Sequence, residues 1–408
     1  MAYMQMVLGY VIGYAVVSYL LLPLYYKHQH SSIYGYLGDR FGVLGQKSGA
    51  WLFLLSRWVG ASLRLFLVAE VLQVLMFGPM GIPFPATVVI IIALIWLYTH
   101  QGGIKTVVYT DVLQTVAMLL AIVLSVVWVG NHLPIEGSLL SYVIEQPESQ
   151  WFYWDLNAGN YFWKQFLAGM FVTIAMTGLD QDMMQKNLTC RSLPEAQRNV
   201  MTLSAVLVLV NFVVMSLGVL MLRYAEINGL GERGDAMFGA VVMSPDMPLA
   251  LGLVFVIGLV AAAFSSADSA LTSLTTSFSV DVLNVEAMEP HQAQRARRKA
   301  HIAVSLAVFC LIIAVRPFAD ASIINTLFKA AGYTYGPLLG MFALGMFTRR
   351  VIQQEWVMPM VAVASPLLTF GLKQWIEAQS SYVFSFELLL LNGLLTFIML
   401  WASSRNRA

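Results

Sequence analysis

An all-α polytopic membrane protein is the fold class that this 408-residue sequence predicts, on three observations. Hydrophobic residues make up 59% of the chain, and its mean hydropathy is +0.72. Charged residues make up only 11%, against about 25% in an ordinary soluble domain. The apolar residues fall in runs long enough to cross a bilayer core, which takes about 20 residues of helix.

These runs give eleven segments, at 4–26, 49–77, 84–99, 107–131, 161–181, 199–222, 247–283, 299–316, 321–347, 352–375 and 383–403. The third is short, and the seventh is long enough for its last turns to project beyond the membrane. Gly102-Gly103 marks a turn between the third and fourth. Ser192-Leu193-Pro194-Glu195 reads as a helix start before the sixth. No low-complexity tract or separate soluble domain interrupts the series, so the chain reads as a single transmembrane domain over 1–408.

Orientation follows from the basic residues. Lys27, Arg40, Lys47, Lys105, Lys186, Arg191, Arg198, the Arg295–Lys299 cluster, Arg349 and Arg350 fall in one set of loops. The alternate loops hold Lys164, Arg223, Arg233, Arg316 and Lys373. The richer set is expected to be cytoplasmic. Eleven crossings then put the N-terminus outside and the C-terminus inside a cell (plasma or inner) membrane. The 132–160 loop fits the outer side, with four acidic residues, no Lys or Arg, and Trp151, Tyr153, Trp154, Tyr161 and Trp163 crowding its end.

Composition excludes several classes. A net charge of +1 points to no nucleic-acid partner. Cys190 and Cys310 stand apart, and no His pair has i, i+4 spacing in an apolar run, so neither disulfides nor a zinc site is expected. No organic cofactor is implied. A membrane enzyme ranks last, since the sequence has no nucleophile elbow or phosphate loop.

A charge at mid-membrane costs about 2.5–3.5 kcal/mol on insertion scales. Arg57, Arg64, Asp111, Asp268 and Lys329 are therefore expected to face a partner, a water path or the bundle interior. In the seventh segment Ser265, Asp268, Ser269 and Thr272 are spaced i, i+3, i+4, i+7 and share one helix face, with Ser266 beside it. Hydroxyls, a carboxylate and nearby carbonyls are hard oxygen ligands suited to an alkali cation. Helix-to-helix hydrogen bonding is the plainer role for such hydroxyls, but an intramembrane carboxylate favours function. Asp111 lies about 6–10 Å into the membrane beyond Lys105, at 1.5 Å per residue. It can continue a cation path or be satisfied by the interface. Arg57 suits an anionic solute, or else it pairs internally, for example with Asp268. Lys329, near a glycine-rich stretch with Pro337, and Thr173 are further candidates for a solute cavity, with ion pairing and packing as their plainer roles.

Taken together, GGIKTVVYTDVLQ at 102–114, DQDMMQKNLTCRSLPEAQRN at 180–199 and AAAFSSADSALTSLTTSFSVDVL at 261–283 resemble the sodium/solute symporter family. YGYLGDRFG at 34–42 and GPLLGMFALGMFTRR at 336–350 fit it too. The resemblance implies a leucine-transporter-type fold of two inverted five-helix repeats. The first repeat, over 1–131, is expected to be incomplete, because family members carry two more helices before the segment that begins here. The second repeat spans 161–347, and two additional helices follow over 352–403. On this pattern sodium binds the Ala262 carbonyl and the Ser265 and Ser266 hydroxyls. A second cation position maps to Asp111, Ser265, Asp268 and Ser269, and Arg57 falls near a carboxylate-binding position. The implied activity is sodium-driven symport of a small polar or anionic organic solute by alternating access. The alternative is a non-transporting sensor module or an inactive truncated remnant.

Overall fold

The computed structural model describes residues 1–28, 32–230, 237, 241, 248–318, 323–380, 382, 384 and 386–406. Within these, the side chains at 74–75, 97–111, 249–251, 255, 259, 262–268, 318 and 323–329 are not described. The architecture is helical almost throughout, as a bilayer demands of any backbone that cannot hydrogen-bond to water.

Helix α1 spans Met4–His28, with a π turn at Val17–Leu21. The short α2, Gly35–Phe41, ends at Gly42, whose φ of 81° only glycine adopts without strain. Helix α3 covers Val43–Leu72, and α4 covers Phe84–Asn131. Beyond the short α5 (Leu139–Glu145), α6 runs through Phe162–Gly178 and bends by 69° into α7, Gln181–Asn187. Helices α8 (Leu193–Ile227), α9 (Leu249–Ser277), α10 (Pro290–Val315) and α11 (Ile323–Phe347) follow. Strand β1 (Arg350–Ile352) precedes α12 (Val357–Gln379) and α13 (Leu388–Ala402), and β2 (Ser404–Asn406) pairs back on β1 in antiparallel register.

Among the described residues six helices are long and apolar enough to cross a membrane, and the bent α6–α7 pair makes a seventh. The remaining predicted segments coincide with shorter apolar helices, Phe84–Trp96 and Leu388–Ala402, or with α9 and α11. Only 22% of Val112–Asn131 and 17% of the span in α10 are buried within the protein. Such apolar surface needs hydrocarbon around it. One expectation changes. The backbone stays helical through Gly102-Gly103, where the sequence predicts a turn. Glycine costs a helix only about 1 kcal/mol relative to alanine, so two glycines without proline do not end it. The 48 residues of α4 make about 72 Å of helix at 1.5 Å each, more than twice the bilayer core.

The chain divides into two compact units. The first comprises Met1–Met4, Arg64–Tyr153 and Val206–Ser269. In it a Cβ on Gly258 of α9 would lie 2.6 Å from the Ala121 Cβ of α4, so small residues set that contact. Trp128 packs on His132 and Tyr224, with ring centroids 4.3 and 5.4 Å away. At its loop end Arg223 pairs with Glu148 and, at 2.7 Å, with Glu226.

The second unit comprises Gln5–Leu63, Trp154–Ala205 and Ala270–Ala408. Helices α1 and α6 touch backbone to backbone there: a Cβ on Gly9 would lie 2.1 Å from the Phe166 carbonyl oxygen, and one on Gly169 2.1 Å from that of Met6. Helices α11 and α13 also pack closely at glycines, Gly336 against the Asn392 side chain and Gly340 against that of Thr396. Polar bonds tie distant loops. Arg40 donates to the carbonyls of Gly345 (3.0 Å) and Thr348 (2.7 Å), which close the end of α11. Glu355 accepts from the Leu44 amide at 3.1 Å and so caps the start of α3. Arg350 lies over the Trp401 ring at 4.1 Å and donates to the Ser404 carbonyl at 3.0 Å, fastening β2.

Candidate functional site

A buried polar cluster of the second unit surrounds the break between α6 and α7. A π turn at Ile174–Gly178 precedes the bend. Such a break leaves carbonyls and amides without helical partners, and in an apolar setting each must find another. Tyr25 donates to the Gly178 carbonyl at 2.8 Å, and Tyr34 to that of Leu179 at 3.0 Å. Gln181 Oε1 accepts from the Ile33 amide at 2.9 Å. Asp180 is the N-cap of α7: its Oδ1 accepts from the Asp182 amide at 2.9 Å and the Met183 amide at 3.3 Å.

The second oxygen of Asp180 faces two other elements. Tyr335 of α11 donates its hydroxyl to Oδ2, and the Arg57 guanidinium of α3 lies 3.6 Å away through Nη1. The other arm of Arg57, Nη2, rests on Asp182 Oδ2. All are removed from water: Asp180 is 0%, Asp182 4% and Arg57 5% exposed. Two carboxylates thus share one guanidinium.

A second polar group lies at the end of α9. Asp281 accepts from Ser277 (2.8 Å), Ser32 (3.0 Å) and Gln46 (3.1 Å). Ser32 and Gln46 also line a polar cavity of about 420 Å³, with Asp39, Glu286 and Glu355.

The candidates read from the sequence fall into three groups. Ala262, Ser265, Ser266 and Asp268 lie on α9 and Asp111 on α4, as helical backbone, with their side chains outside the described residues; so is the side chain of Lys329 on α11. Ser269 is described and buried, at 4% exposure. Thr173 is buried where α6 meets α1, with its Cβ 2.6 Å from the position a Gly13 Cβ would take. Arg57 takes internal pairing, with Asp180 and Asp182, while the side chain of the Asp268 suggested above lies outside the described residues.

Sequence reasoning missed Asp180, Asp182, Tyr335 and Asp281. Asp182 reads as the start of a polar loop because an apolar run ends just before it. The 69° bend turns it back into the protein. The available signal was the Gly178-Leu179-Asp180 step, a helix stop followed by an N-cap residue.

Comparisons with known proteins bear on this arrangement. The family model described as the sodium:solute symporter family matches residues 1–362. The sodium-dependent multivitamin transporter of Oryctolagus cuniculus is 25% identical over 358 residues, covering 83% of this chain and 54% of the relative. The sodium/sialic acid symporter SiaT of Proteus mirabilis (strain HI4320) is 23% identical over 351 residues, covering 82% of this chain and 68% of the relative. The chain thus spans about half the length of the first and two thirds of the second. A solved structure of a Na+-coupled sialic acid symporter, in a substrate-bound outward-open state, superposes with a TM-score of 0.78 at 20% identity. The match covers 98% of this chain and 83% of that one, and shows the leucine-transporter-type fold. These relatives are transporters, not enzymes.

Proposed function

Because the chain belongs to the sodium:solute symporter family, we propose that it carries a small polar organic solute across a cell membrane on the sodium gradient. The family match over 1–362 carries this reading, since it takes in both intramembrane carboxylate motifs, at 102–114 and 261–283. The names of relatives that carry vitamins and sialic acid support an organic solute.

In this proposal sodium is bound by the Ala262 carbonyl and the Ser265 and Ser266 hydroxyls, oxygen donors that replace a hydration shell without supplying a covalent step. Asp111, Ser265, Asp268 and Ser269 provide a second cation position. Thr173 and Lys329 border the solute cavity. Transport proceeds by alternating access, one helical repeat rocking against the other. The loops rich in Lys and Arg, with the Arg295–Lys299 cluster among them, face the cytoplasm.

The test is uptake by the full chain in proteoliposomes, with sodium outside and with choline in its place. Ser265→Ala and Ser266→Ala should each raise the sodium concentration for half-maximal uptake. Unchanged sodium dependence in both variants refutes the site, and uptake that follows a proton gradient in choline refutes sodium coupling.

A further inference from the structure

The second unit carries an apolar cavity of about 330 Å³ where α3, the end of α9 and α10 meet. Aromatic and aliphatic side chains alone line it, among them Trp51 and Trp58 of α3, Phe278, and Ala303 and Ala307 of α10. Such a lining gives water no hydrogen-bond partners, so the cavity does not hold it. Helices α3 and α10 are both long and apolar enough to cross a membrane, and only 17% of the α10 span is buried. Trp51, 53% exposed, stands at the mouth of the cavity. In a bilayer the group that meets such an opening is an acyl chain.

Basic side chains stand at one end of this cavity. Lys47 precedes Trp51 by four residues, on the lining face of α3. Lys299 precedes Ala303 by four and Arg297 precedes Val304 by seven, so the two flank the lining face of α10. Two contacts set these at the same end. The Trp51 and Phe278 rings meet edge to face at 6.2 Å, and Thr275 bonds His301 at 2.9 Å. All three cations are exposed, and among the described residues none has an ion-pair partner. The four basic residues between 295 and 299 outnumber Glu286 and Glu289, the exposed acids of the preceding link. Four residues of helix from Lys47 to Trp51 rise about 6 Å, comparable to one headgroup layer beside the hydrocarbon core.

We propose that this cavity binds a bilayer phospholipid with an anionic headgroup. Lys47, Arg297 and Lys299 hold its phosphate, their stems lying along apolar surface. One acyl chain enters between Trp51, Phe278 and Ala307. This goes beyond the symport reading and does not depend on it.

The experiment titrates the purified full chain in neutral detergent with dioleoylphosphatidylglycerol and, separately, dioleoylphosphatidylcholine. Native mass spectrometry counts the lipid retained. The anionic lipid should be retained at about tenfold lower concentration or less, given three interfacial cations. Lys47→Gln and Lys299→Gln should each weaken that retention about fivefold. Arg298→Gln, on the opposite face of α10, should change it little. Ala307→Phe fills the cavity and should reduce retention with every cation in place. If that variant does not fold, dihexanoylphosphatidylglycerol on the unmodified protein decides the matter: retention equal to that of the dioleoyl lipid overturns the acyl-chain slot. Equal retention of the two dioleoyl lipids overturns the inference. So does equal weakening by Arg298→Gln and Lys299→Gln, the mark of diffuse surface attraction. Glycerol 1-phosphate binding as tightly as the lipid would make this a free-phosphate site. A lipid-free dimer that Trp51→Ala abolishes would give the face to a second copy. Either result overturns the proposal.

Discussion

The Asn392 side-chain amide lies 3.0 Å from the carbonyl oxygen of Tyr333. Residue 333 stands four before Pro337, which sits inside α11 and has no N–H to give. The helix therefore leaves that carbonyl without its usual donor, and α13 supplies one. The same amide reaches the Gly332 carbonyl at 3.1 Å, and Gly336 leaves the room for it.

Asn392→Ala should therefore lower stability by about 1–3 kcal/mol, the cost of a buried carbonyl without a donor. In a Pro337→Ala background the helix regains its N–H, and the cost of Asn392→Ala should shrink. A double-mutant cycle on melting temperature in detergent measures this coupling. Additive effects would show that the two residues act independently.

Gly42→Ala should destabilise the protein by about 1–3 kcal/mol, because its backbone region is almost restricted to glycine. The added Cβ would also sit 2.3 Å from the Glu355 carboxyl carbon, pushing it off the Leu44 amide. Amide exchange in the first turn of α3 should quicken. A variant with unchanged melting temperature and exchange would refute this account.

Acid should loosen the 138–152 loop. Burial pushes the Glu148 carboxyl up, but its own backbone amide and Arg223 outweigh that and hold it below its ordinary value. A lowered folded value means the stabilisation is present above the unfolded value, about 4.3, and is lost as pH falls through the folded one. The loss belongs below about pH 4.3, and salt should weaken the effect. Hydrogen exchange in the loop as a function of pH reads it out, and Arg223→Gln should flatten the profile.

Lys164 is buried, with its ammonium 3.8 Å from the centre of the Tyr382 ring. Tyr382→Leu removes the ring and should cost about 1–2 kcal/mol. Tyr382→Phe keeps the ring and loses the 3.0 Å hydroxyl bond to Glu387, so about 1 kcal/mol is expected. Thermal denaturation of the two variants separates the contributions. Equal losses together with a normal Lys164→Met variant would remove the cation–ring contact from the account.

The helical architecture was legible in the sequence, because a bilayer leaves a long apolar run little choice but helix. The predicted segments at 161–181, 321–347 and 383–403 meet α6, α11 and α13 within a few residues at most bounds. The Ser192–Glu195 start signal meets α8, which opens at Leu193. Partnerships between segments were not legible. Nothing near Arg57 in sequence announces Asp180 and Asp182, more than 120 positions away, and Asp182 looks solvated until the bend after Gly178 is known. The glycine pair at 102–103 misled for a related reason: a low propensity permits a turn but does not impose one. The oxygen-rich face of α9 was read from its spacing, and its side chains from 262 to 268 fall outside the described residues.

The knot formed by Arg40 and Glu355 has a consequence for the order in which the molecule can be built. The carbonyls that Arg40 needs lie 305 and 308 positions further along the chain, and the carboxylate that caps Leu44 lies 311 further. A ribosome adding about 5–20 residues per second leaves those groups waiting roughly 15–60 s. During that interval α1 to α3 must be inserted and held by the cell's translocation and chaperone machinery, with the start of α3 still uncapped. Closure therefore waits until residue 355 has been made, and a nascent chain stalled before residue 345 exposes an unfinished knot to quality control.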